Sequence, residues 1–257
     1  MPTTLTPWPT TQLQQACQER LPGFNVDILP QIDSTNSELM RRAKAGRQDP
    51  VLLLAEHQTA GRGRHGRTWW GRPGDALTFS IGMALRPHNW SGLSLAVGLS
   101  LAQSLAPQVQ LKWPNDLWWE TRKLGGILIE VVSQGAQSYA VVGVGLNVRG
   151  MAPEGLLAPF AAADEFLPGV DGGALCLRLV PNLLTALLEF ERSGFAPLQA
   201  GFEARDGLRG LQVHTSDGMQ GVCEGVDMSG ALSLRTATGL QPVCSAEVSI
   251  KPVVLAS

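Results

Sequence analysis

The sequence predicts an α+β fold in which helices and strands share the first 206 residues and a small all-β barrel follows. Solid apolar runs that are typical of buried strands are interspersed with segments of helical spacing. After residue 207 the pattern changes to short apolar runs separated by tight turns, which is typical of a small barrel. A hydrophobic content of 44% in 257 residues is enough for a sizeable core.

Helix-start signals open the chain. Thr11 and Gln14 have the spacing of a capping box, and Thr35 and Glu38 have the same spacing at a second helix. The other predicted helices span 92–106, 174–192 and 197–205, and Pro181 should either bend the longest of them or mark a later start for it. The predicted strands are 25–30, 51–55, 77–85, 109–113, 126–132 and 139–148.

The chain divides by composition into two predicted domains, residues 1–206 and residues 207–257. Turns such as 216–218 and 229–230 punctuate the second domain. The segment 150–173 is rich in alanine, proline and glycine, and it predicts a long mobile loop rather than a linker.

Composition excludes several classes of protein. The net charge is -2 with no long run of one sign, which argues against a general binder of nucleic acid or membrane surfaces. The start has no signal-peptide pattern, and no stretch approaches the ~20 apolar residues of a membrane span. The four cysteines are widely spaced without a CxxC pair, so they predict free thiols in a reducing, cytoplasmic setting and no metal site.

The stretch GRGRHGRTW at 61–69 concentrates positive charge on flexible backbone. Glycines let main-chain N–H groups approach a ligand, and arginines bind carboxylate or phosphate oxygens with two donors. The stretch lacks the GxxxxGK[ST] pattern of a P-loop. It predicts a site for a small, highly charged anion, with a solvated basic turn as the alternative.

Two further motifs carry chemistry. In KWPND at 112–116, Pro114 ends a strand, so Asn115 and Asp116 should lie on a turn where open sheets bind ligands; ordinary turn chemistry is the alternative. In KLGGI at 123–127, a lysine precedes two glycines and a strand, so it could reach into a cleft or be a simple strand-edge residue.

Uncharged polar residues complete the set of candidates. Ser34, Thr35, Asn36 and Gln58 offer neutral donors and acceptors, as a polar, uncharged ligand group would need. A plain helix start and an ordinary loop residue are the alternatives. The VGVGLN run at 142–147 places two glycines on a buried strand, which weakens the strand unless something packs closely against its backbone.

Five motifs occur together and in a fixed order: DSTN at 33–36, QTAGRGRxGRxW at 58–69, KWPND at 112–116, KLGGILIE at 123–130 and VGVGLNV at 142–148. In this combination, over residues 32–148, the chain closely resembles the biotin protein ligases. The resemblance implies a mixed sheet with helices on one face, as in class II synthetases, and then an SH3-like barrel. It also implies that biotin and MgATP form biotinyl-5′-AMP, and that biotin then passes to a lysine of the biotin carboxyl carrier protein.

The resemblance also implies site residues. The biotin side would be formed by Ser34, Thr35, Asn36, Gln58, Arg62, Gly63, Arg64, Lys123, Gly126, Gly143 and Gly145. The three last-named glycines would let the ligand lie against backbone. The nucleotide side would be formed by Arg64, Arg67, Trp69, Asn115, Asp116 and Asn147. Lys123 and Arg64 would act at the reacting centre, and magnesium would come with the ATP phosphates.

The sequence departs from the pattern of many biotin protein ligases at its N-terminus and in the barrel. About thirty residues precede Asp33, too few for the winged-helix DNA-binding domain of many members, so repressor activity should be absent. Lys251 stands where a barrel arginine is sometimes found, and a homodimer is possible.

Two other functions compete with this interpretation. A lipoate ligase or octanoyl transferase would share the fold, but the transferase needs a cysteine that the motifs lack. A single-strand nucleic-acid binder could use the arginines and tryptophans, although the net charge opposes it.

Overall fold

The computed structural model describes residues 8–134, 137–150, 159–216, 218–244 and 250–252. Its α-helices are α1 (Thr10–Gln18), α2 (Thr35–Lys44), α3 (Leu93–Leu105), α4 (Gly172–Ser193) and α5 (Gln199–Glu203). The strands of the first sheet are β1 (Asn25–Ile32), β2 (Val51–Gln58), β3 (Ala76–Ala84), β4 (Gln110–Lys112), β5 (Asp116–Trp119), β6 (Arg122–Gln134) and β7 (Gln137–Asn147). The second sheet has β8 (Gln212–Thr215), β9 (Gln220–Val226), β10 (Leu232–Thr236), β11 (Gly239–Val243) and β12 (Ile250–Pro252).

The first sheet is mixed, as expected, with the order β1-β2-β3-β7-β6-β5-β4. Only β1 and β2 run parallel; the remaining neighbours are antiparallel. β2 shows why both faces of this sheet are covered. Leu52 and Leu54 belong to the large core cluster that includes residues of α1, α3 and α4, whereas Val51 and Leu53 pack with Leu39 of α2. Because successive side chains of a strand point to opposite faces, α2 lies on the other face. The expectation of helices on one face is therefore wrong.

The small second sheet is antiparallel throughout, with the order β11-β10-β9-β8-β12, as the barrel prediction requires. Its buried Val213, Leu232 and Leu234 join the main core cluster. Where the chain enters the barrel, the main chain of Leu111 bonds both Arg205 and Gly207. The division at 206 and 207 stays a prediction.

The first predicted helix cap is wrong. α1 begins at Thr10 after Pro9, with no side-chain cap, so Thr11 lies inside the first turn. The amide of Gln14 donates instead to the main-chain carbonyl of Phe24. The Gln14 side chain, in the middle of α1, is thus bonded to the chain that follows the helix and does not close a capping box.

The second predicted cap is displaced by one residue. Ser34 is the N-cap of α2, and its Oγ accepts from the main-chain nitrogen of Ser37 at 3.4 Å. Thr35 is therefore helical, and Glu38 pairs with Arg41 and Arg42 instead of closing a capping box. This shift matters for the site, because it leaves the Thr35 hydroxyl available to other partners.

The predicted mobile loop at 150–173 is structured in its described part. The main chain of Lys123 donates to the Pro159 carbonyl at 2.8 Å and accepts from Ala161 at 2.9 Å. Residues 161–163 are fully buried, because alanine is small enough to pack against the sheet there. Residues 159–173 are thus bonded and packed against the sheet, whereas the centre of the predicted loop at 151–158 lies outside the described residues.

In the described part of the chain one helix, α4, is long and apolar enough to cross a membrane by length and composition alone, contrary to the sequence expectation. Half of its apolar window is buried inside the protein. Leu175, Leu179, Leu183 and Leu187 belong to the same core cluster as residues of α3. Packing in the core therefore accounts for the apolar character of α4.

Candidate active site

A cleft opens over the sheet between the 61–69 segment, the start of α2 and the turn from β4 to β5. All but one of the predicted site residues line it: Ser34, Thr35, Asn36, Gln58, Arg62, Gly63, Arg64, Arg67, Trp69, Asn115, Asp116, Lys123, Gly126, Gly143 and Gly145. Residues far apart in sequence thus meet in one place. Ten further residues, most of them within the motifs but not assigned to the site, also line the cleft: His65, Thr68, Thr78, Phe79, Lys112, Trp113, Pro114, Ile127, Leu128 and Val144.

The end of the cleft at α2 is polar and uncharged. The Thr35 main-chain nitrogen donates to Gln58 Oε1 at 2.7 Å, and its hydroxyl lies 3.1 Å from the same oxygen. The Ser80 hydroxyl lies 2.6 Å from Asn36 Oδ1 and 2.7 Å from Thr35 Oγ1. Ser80 was missed from sequence. Two hydroxyl residues, Thr78 and Ser80, in the otherwise apolar strand LTFSIGM were the available signal.

Two glycines of β7 make room for protein side chains. A Cβ at Gly143 would lie 2.0 Å from Asn36 Oδ1, and a Cβ at Gly145 would lie 2.3 Å from the Trp69 ring. We had expected a ligand to occupy that space. The structure places Asn36 and Trp69 against these glycines, which also line the cleft, and their contact with a ligand stays a prediction. At Gly126 a Cβ would make ordinary contacts of 3.5 and 3.6 Å with Lys123 and Asp116.

Lys123 is held at its backbone and by its side chain. Its Nζ lies 2.8 Å from Asp116 Oδ1, across the β5–β6 pair. Asp116 opens β5, a strand that we had not predicted, although the apolar run Leu117–Trp119 could have indicated it. A four-carbon side chain on a fixed backbone can reach the centre of the cleft.

Asn147 is the predicted site residue that does not line the cleft. Its Nδ2 donates to the Lys123 carbonyl at 3.1 Å and to the Ala161 carbonyl at 3.0 Å. The amide therefore ties β7, β6 and the 159–163 segment together directly behind the lysine. The structure gives it a supporting position where we had expected a nucleotide contact.

The 61–69 segment folds back on itself as a small hairpin. Arg62 and Thr68 form an antiparallel bridge, and a 3₁₀ turn at Arg64–Gly66 makes the tip. His65 and Gly66 have positive φ values of 54° and 72° at that tip, a backbone conformation that glycine adopts at little cost. The hairpin thus carries its arginines over the cleft.

The arginines of the hairpin have different surroundings. Arg64 Nη1 donates to Asn115 Oδ1 at 3.2 Å, and burial lowers the pKa of Arg64, with nearby Asp116 opposing that shift. The Arg62 guanidinium instead pairs with Glu130 on the neighbouring strand. Arginine remains charged in either setting.

The charge balance of the cleft is strongly positive. Among the described lining residues one carboxylate, Asp116, faces five lysine and arginine side chains. Those basic residues are Arg62, Arg64, Arg67, Lys112 and Lys123. The lining suits a ligand with several negative charges next to an uncharged polar group. In the described part of the chain, no group of three His, Cys, Asp or Glu side chains is arranged to hold a metal ion.

Known proteins are similar to this chain in sequence and in fold. Residues 28–147 match the biotin/lipoate A/B protein ligase family. The chain is 34% identical to the bifunctional ligase/repressor BirA of Escherichia coli, over 90% of this chain and 76% of that protein. It is 36% identical to the biotin–[acetyl-CoA-carboxylase] ligase of Mycobacterium tuberculosis, over 81% of this chain and 82% of that protein.

Among solved structures, the biotin protein ligase of Aquifex aeolicus in complex with biotin and ATP is similar over most of its length. It superposes with a TM-score of 0.76 at 27% identity, and covers 89% of this chain and 99% of its own.

Proposed function

The chain belongs to the biotin protein ligases, and from that premise we propose that it joins biotin to AMP and then transfers biotin to a carrier lysine. The biotin carboxylate attacks the α-phosphorus of ATP, and the bond to pyrophosphate breaks. The lysine amine of the biotin carboxyl carrier protein of acetyl-CoA carboxylase then displaces AMP and forms an amide.

The charge balance of the cleft is the observation that carries this proposal. Biotin carboxylate and ATP triphosphate repel each other, so bringing them together requires positive charge at the reacting centre. Five basic side chains facing one carboxylate supply it. An uncharged polar pocket adjoins them, and the ureido ring of biotin is an uncharged group with both donors and acceptors.

The residues divide between the two substrates by their position. Ser34, Thr35, Asn36 and Gln58 would contact the ureido ring. Lys123 and Arg64 would lie at the carboxylate and the α-phosphate, with Arg67, Trp69, Asn115 and Asp116 on the nucleotide side. Asn147 would act from behind the cleft by holding the Lys123 main chain.

Magnesium would enter as part of the MgATP substrate. The lining carboxylate Asp116 already pairs with Lys123, so the phosphate oxygens would provide most of the ligands. Bound there, magnesium would neutralise the pyrophosphate leaving group.

The hairpin at 61–69 would serve as a lid over the acyl-adenylate. An acyl-adenylate is a mixed anhydride that water hydrolyses, and a closed lid excludes water until the carrier arrives. Biotin and its adenylate both bring negative charge to the arginines, so protection from hydrogen exchange across 60–72 should rise when they bind. Equal exchange rates in free and bound protein would contradict the lid.

The barrel would assist the catalytic domain. The Trp113 indole nitrogen in the KWPND motif donates to the Gly230 carbonyl of a barrel turn at 3.0 Å. Truncation after residue 206 should therefore impair ligation while some biotin binding remains. Normal ligation by a folded truncated protein would refute this role. A contact of Lys251 with nucleotide stays a prediction, since that side chain lies outside the described part of the structure.

Three sequence expectations stay predictions: a cytoplasmic location, a possible homodimer and the absence of repressor activity. The last is open to a direct test, in which the protein with biotin and ATP is mixed with duplex DNA. A salt-resistant, sequence-dependent gel shift at nanomolar protein would overturn it.

The decisive experiment for the proposed activity is direct. The protein is incubated with biotin and MgATP, and biotinyl-AMP is sought by mass spectrometry, with lipoate as the matched alternative substrate. A carrier domain added afterwards should gain one biotin on lysine. Absence of biotinyl-AMP, or equal activation of lipoate, would contradict the proposal. A thermal shift with single-stranded oligonucleotide in place of biotin would instead support a nucleic-acid binder.

A further inference from the structure

Glu130 of β6 does not line the cleft, yet it bonds two residues that do. We propose that Glu130 is a positioning residue that couples the base of the 61–69 hairpin to the biotin-binding end of α2. The proposal rests on the proposed function for the identity of the ligand, whereas the coupling itself belongs to the protein alone.

The Glu130 carboxylate bonds both Arg62 of the hairpin and Asn36 of α2. Arg62 Nη2 lies 3.0 Å from Glu130 Oε1, and Arg62 Nη1 lies 3.2 Å from Oε2. Asn36 Nδ2 donates to the same Oε2 at 3.0 Å. Arg62 Nη1 also reaches Ser37 Oγ at 3.3 Å, so the guanidinium spans β6 and α2. A two-donor arginine–carboxylate pair fixes orientation as well as distance.

Asn36 cannot turn away from this arrangement. Its Oδ1 lies 2.6 Å from the Ser80 hydroxyl, and its Nδ2 also faces the Leu128 carbonyl at 3.2 Å. A Cβ at Gly143 would collide with it, which shows how closely the strand backbone confines the amide. Since the carboxylate accepts only, Glu130 requires the Asn36 nitrogen to face it. The oxygen of Asn36 therefore stays on the Ser80 side.

The pair also sets the state of the hairpin before any ligand arrives. With Arg62 held, the base of the hairpin is fixed in the free protein, while the tip at 64–66 depends on the anion that binds below it. Ordering the base in advance reduces the entropy cost of closing the lid. The Arg62 and Glu130 side chains are 46% and 21% exposed, so water screens their pair only in part.

Glu130→Gln tests the coupling because it keeps the shape and removes the charge. In the ligand-free protein, amide exchange at 61–63 should become about fivefold faster, as expected for losing a partly exposed ion pair. The KM for biotin should rise about tenfold, because Asn36 loses a charged acceptor, while the KM for MgATP should stay within twofold. Glu224→Gln, which breaks the Arg235–Glu224 pair of the barrel, is the matched control and should change neither quantity.

A second variant keeps the test decisive if Glu130→Gln folds poorly. Arg62→Ala breaks the same pair from the hairpin side, and it should speed exchange at 61–63 to a similar degree. In the double variant the two effects on exchange should not add, because both changes remove one interaction.

The outcomes separate this inference from the proposed function. Unchanged exchange at 61–63 in both single variants, fully additive effects, or a rise in the MgATP KM equal to that for biotin would overturn the coupling. Hydrogen exchange at 61–63 is measured in the ligand-free protein, so it does not depend on enzymatic activity. A wild-type protein that makes no biotinyl-AMP, but whose hairpin loosens in Glu130→Gln, would refute the proposed function alone.

Discussion

Replacing Lys123 by alanine separates chemistry from folding more cleanly than other changes in the cleft. The main chain at this position is held by the Pro159 carbonyl, the Ala161 nitrogen and the Asn147 amide, none of which depends on the lysine side chain. The substitution should therefore remove one positive charge and leave the backbone in place.

The expected loss of stability is much smaller than the expected loss of rate. The side chain is 37% exposed and its ion pair with Asp116 is 2.8 Å long, so its loss should cost at most ~1 kcal/mol of stability. In a protein of this size that corresponds to a fall of about 2–4 °C in Tm. Loss of a preorganised charge at the reacting centre typically lowers the rate about 10²- to 10³-fold, or ~2.7–4 kcal/mol.

The assay is biotin-dependent pyrophosphate release, with thermal unfolding measured on the same samples. Lys44→Ala, at the exposed end of α2, is the matched control and should leave the rate unchanged. A Lys123→Ala enzyme that releases pyrophosphate at nearly the wild-type rate would refute the placement of this lysine at the reacting centre.

Three further substitutions test the surroundings of the cleft. Asn147→Ala should lower the free energy of unfolding in urea by ~1–3 kcal/mol, because the carbonyls of Lys123 and Ala161 lose a donor. The kcat should fall, with little change in the KM for ATP. A raised KM for ATP at full stability would instead support a nucleotide contact. Gly143→Ala should abolish biotin binding in calorimetry, because the new Cβ displaces Asn36. The control Gly150→Ala should bind biotin normally, because its Cβ would have its nearest neighbour at 3.7 Å. Equal biotin binding by both variants would show that Gly143 is not needed to position Asn36. Burial raises the pKa of the Asp206 carboxyl, so its contribution to stability is complete below its ordinary pKa of about 3.9 and is lost as pH rises through the raised value. Asp206→Asn should consequently be more stable than wild type at pH 8 in urea unfolding and should lose the advantage at pH 3; the opposite order would contradict the burial argument.

The sequence was sufficient for the parts of the site that lie within one short segment. KWPND and KLGGI place an acid and a lysine at the ends of neighbouring strands, and the structure brings Asp116 and Lys123 within 2.8 Å. All but one of the site residues implied by the resemblance to biotin protein ligases line the cleft. The reason is that chemistry at a turn or strand end needs particular residue types at particular spacings, and spacing is visible in a sequence.

Helix caps were harder to predict because two local rules competed. Ser34 and Thr35 are both good caps, and the sequence favoured Thr35 through the acid three residues later. In the structure Ser34 takes the cap, since the Thr35 hydroxyl faces Gln58 and Ser80. A partner 45 residues away decided between two adjacent residues.

What the sequence determined by itself was the order of most of the strands and helices, the barrel and the chemical types gathered in the cleft. What only the tertiary structure decided was which partner each side chain faces. Gly143 and Gly145 could have admitted a ligand or a neighbouring side chain, and the fold filled the space with Asn36 and Trp69. Glu130 ends the KLGGILIE motif, but the motif does not reveal its partners: it binds Asn36, 94 positions away, and Arg62, 68 positions away. Such contacts depend on how strands and helices pack in three dimensions, and a linear pattern does not contain those distances.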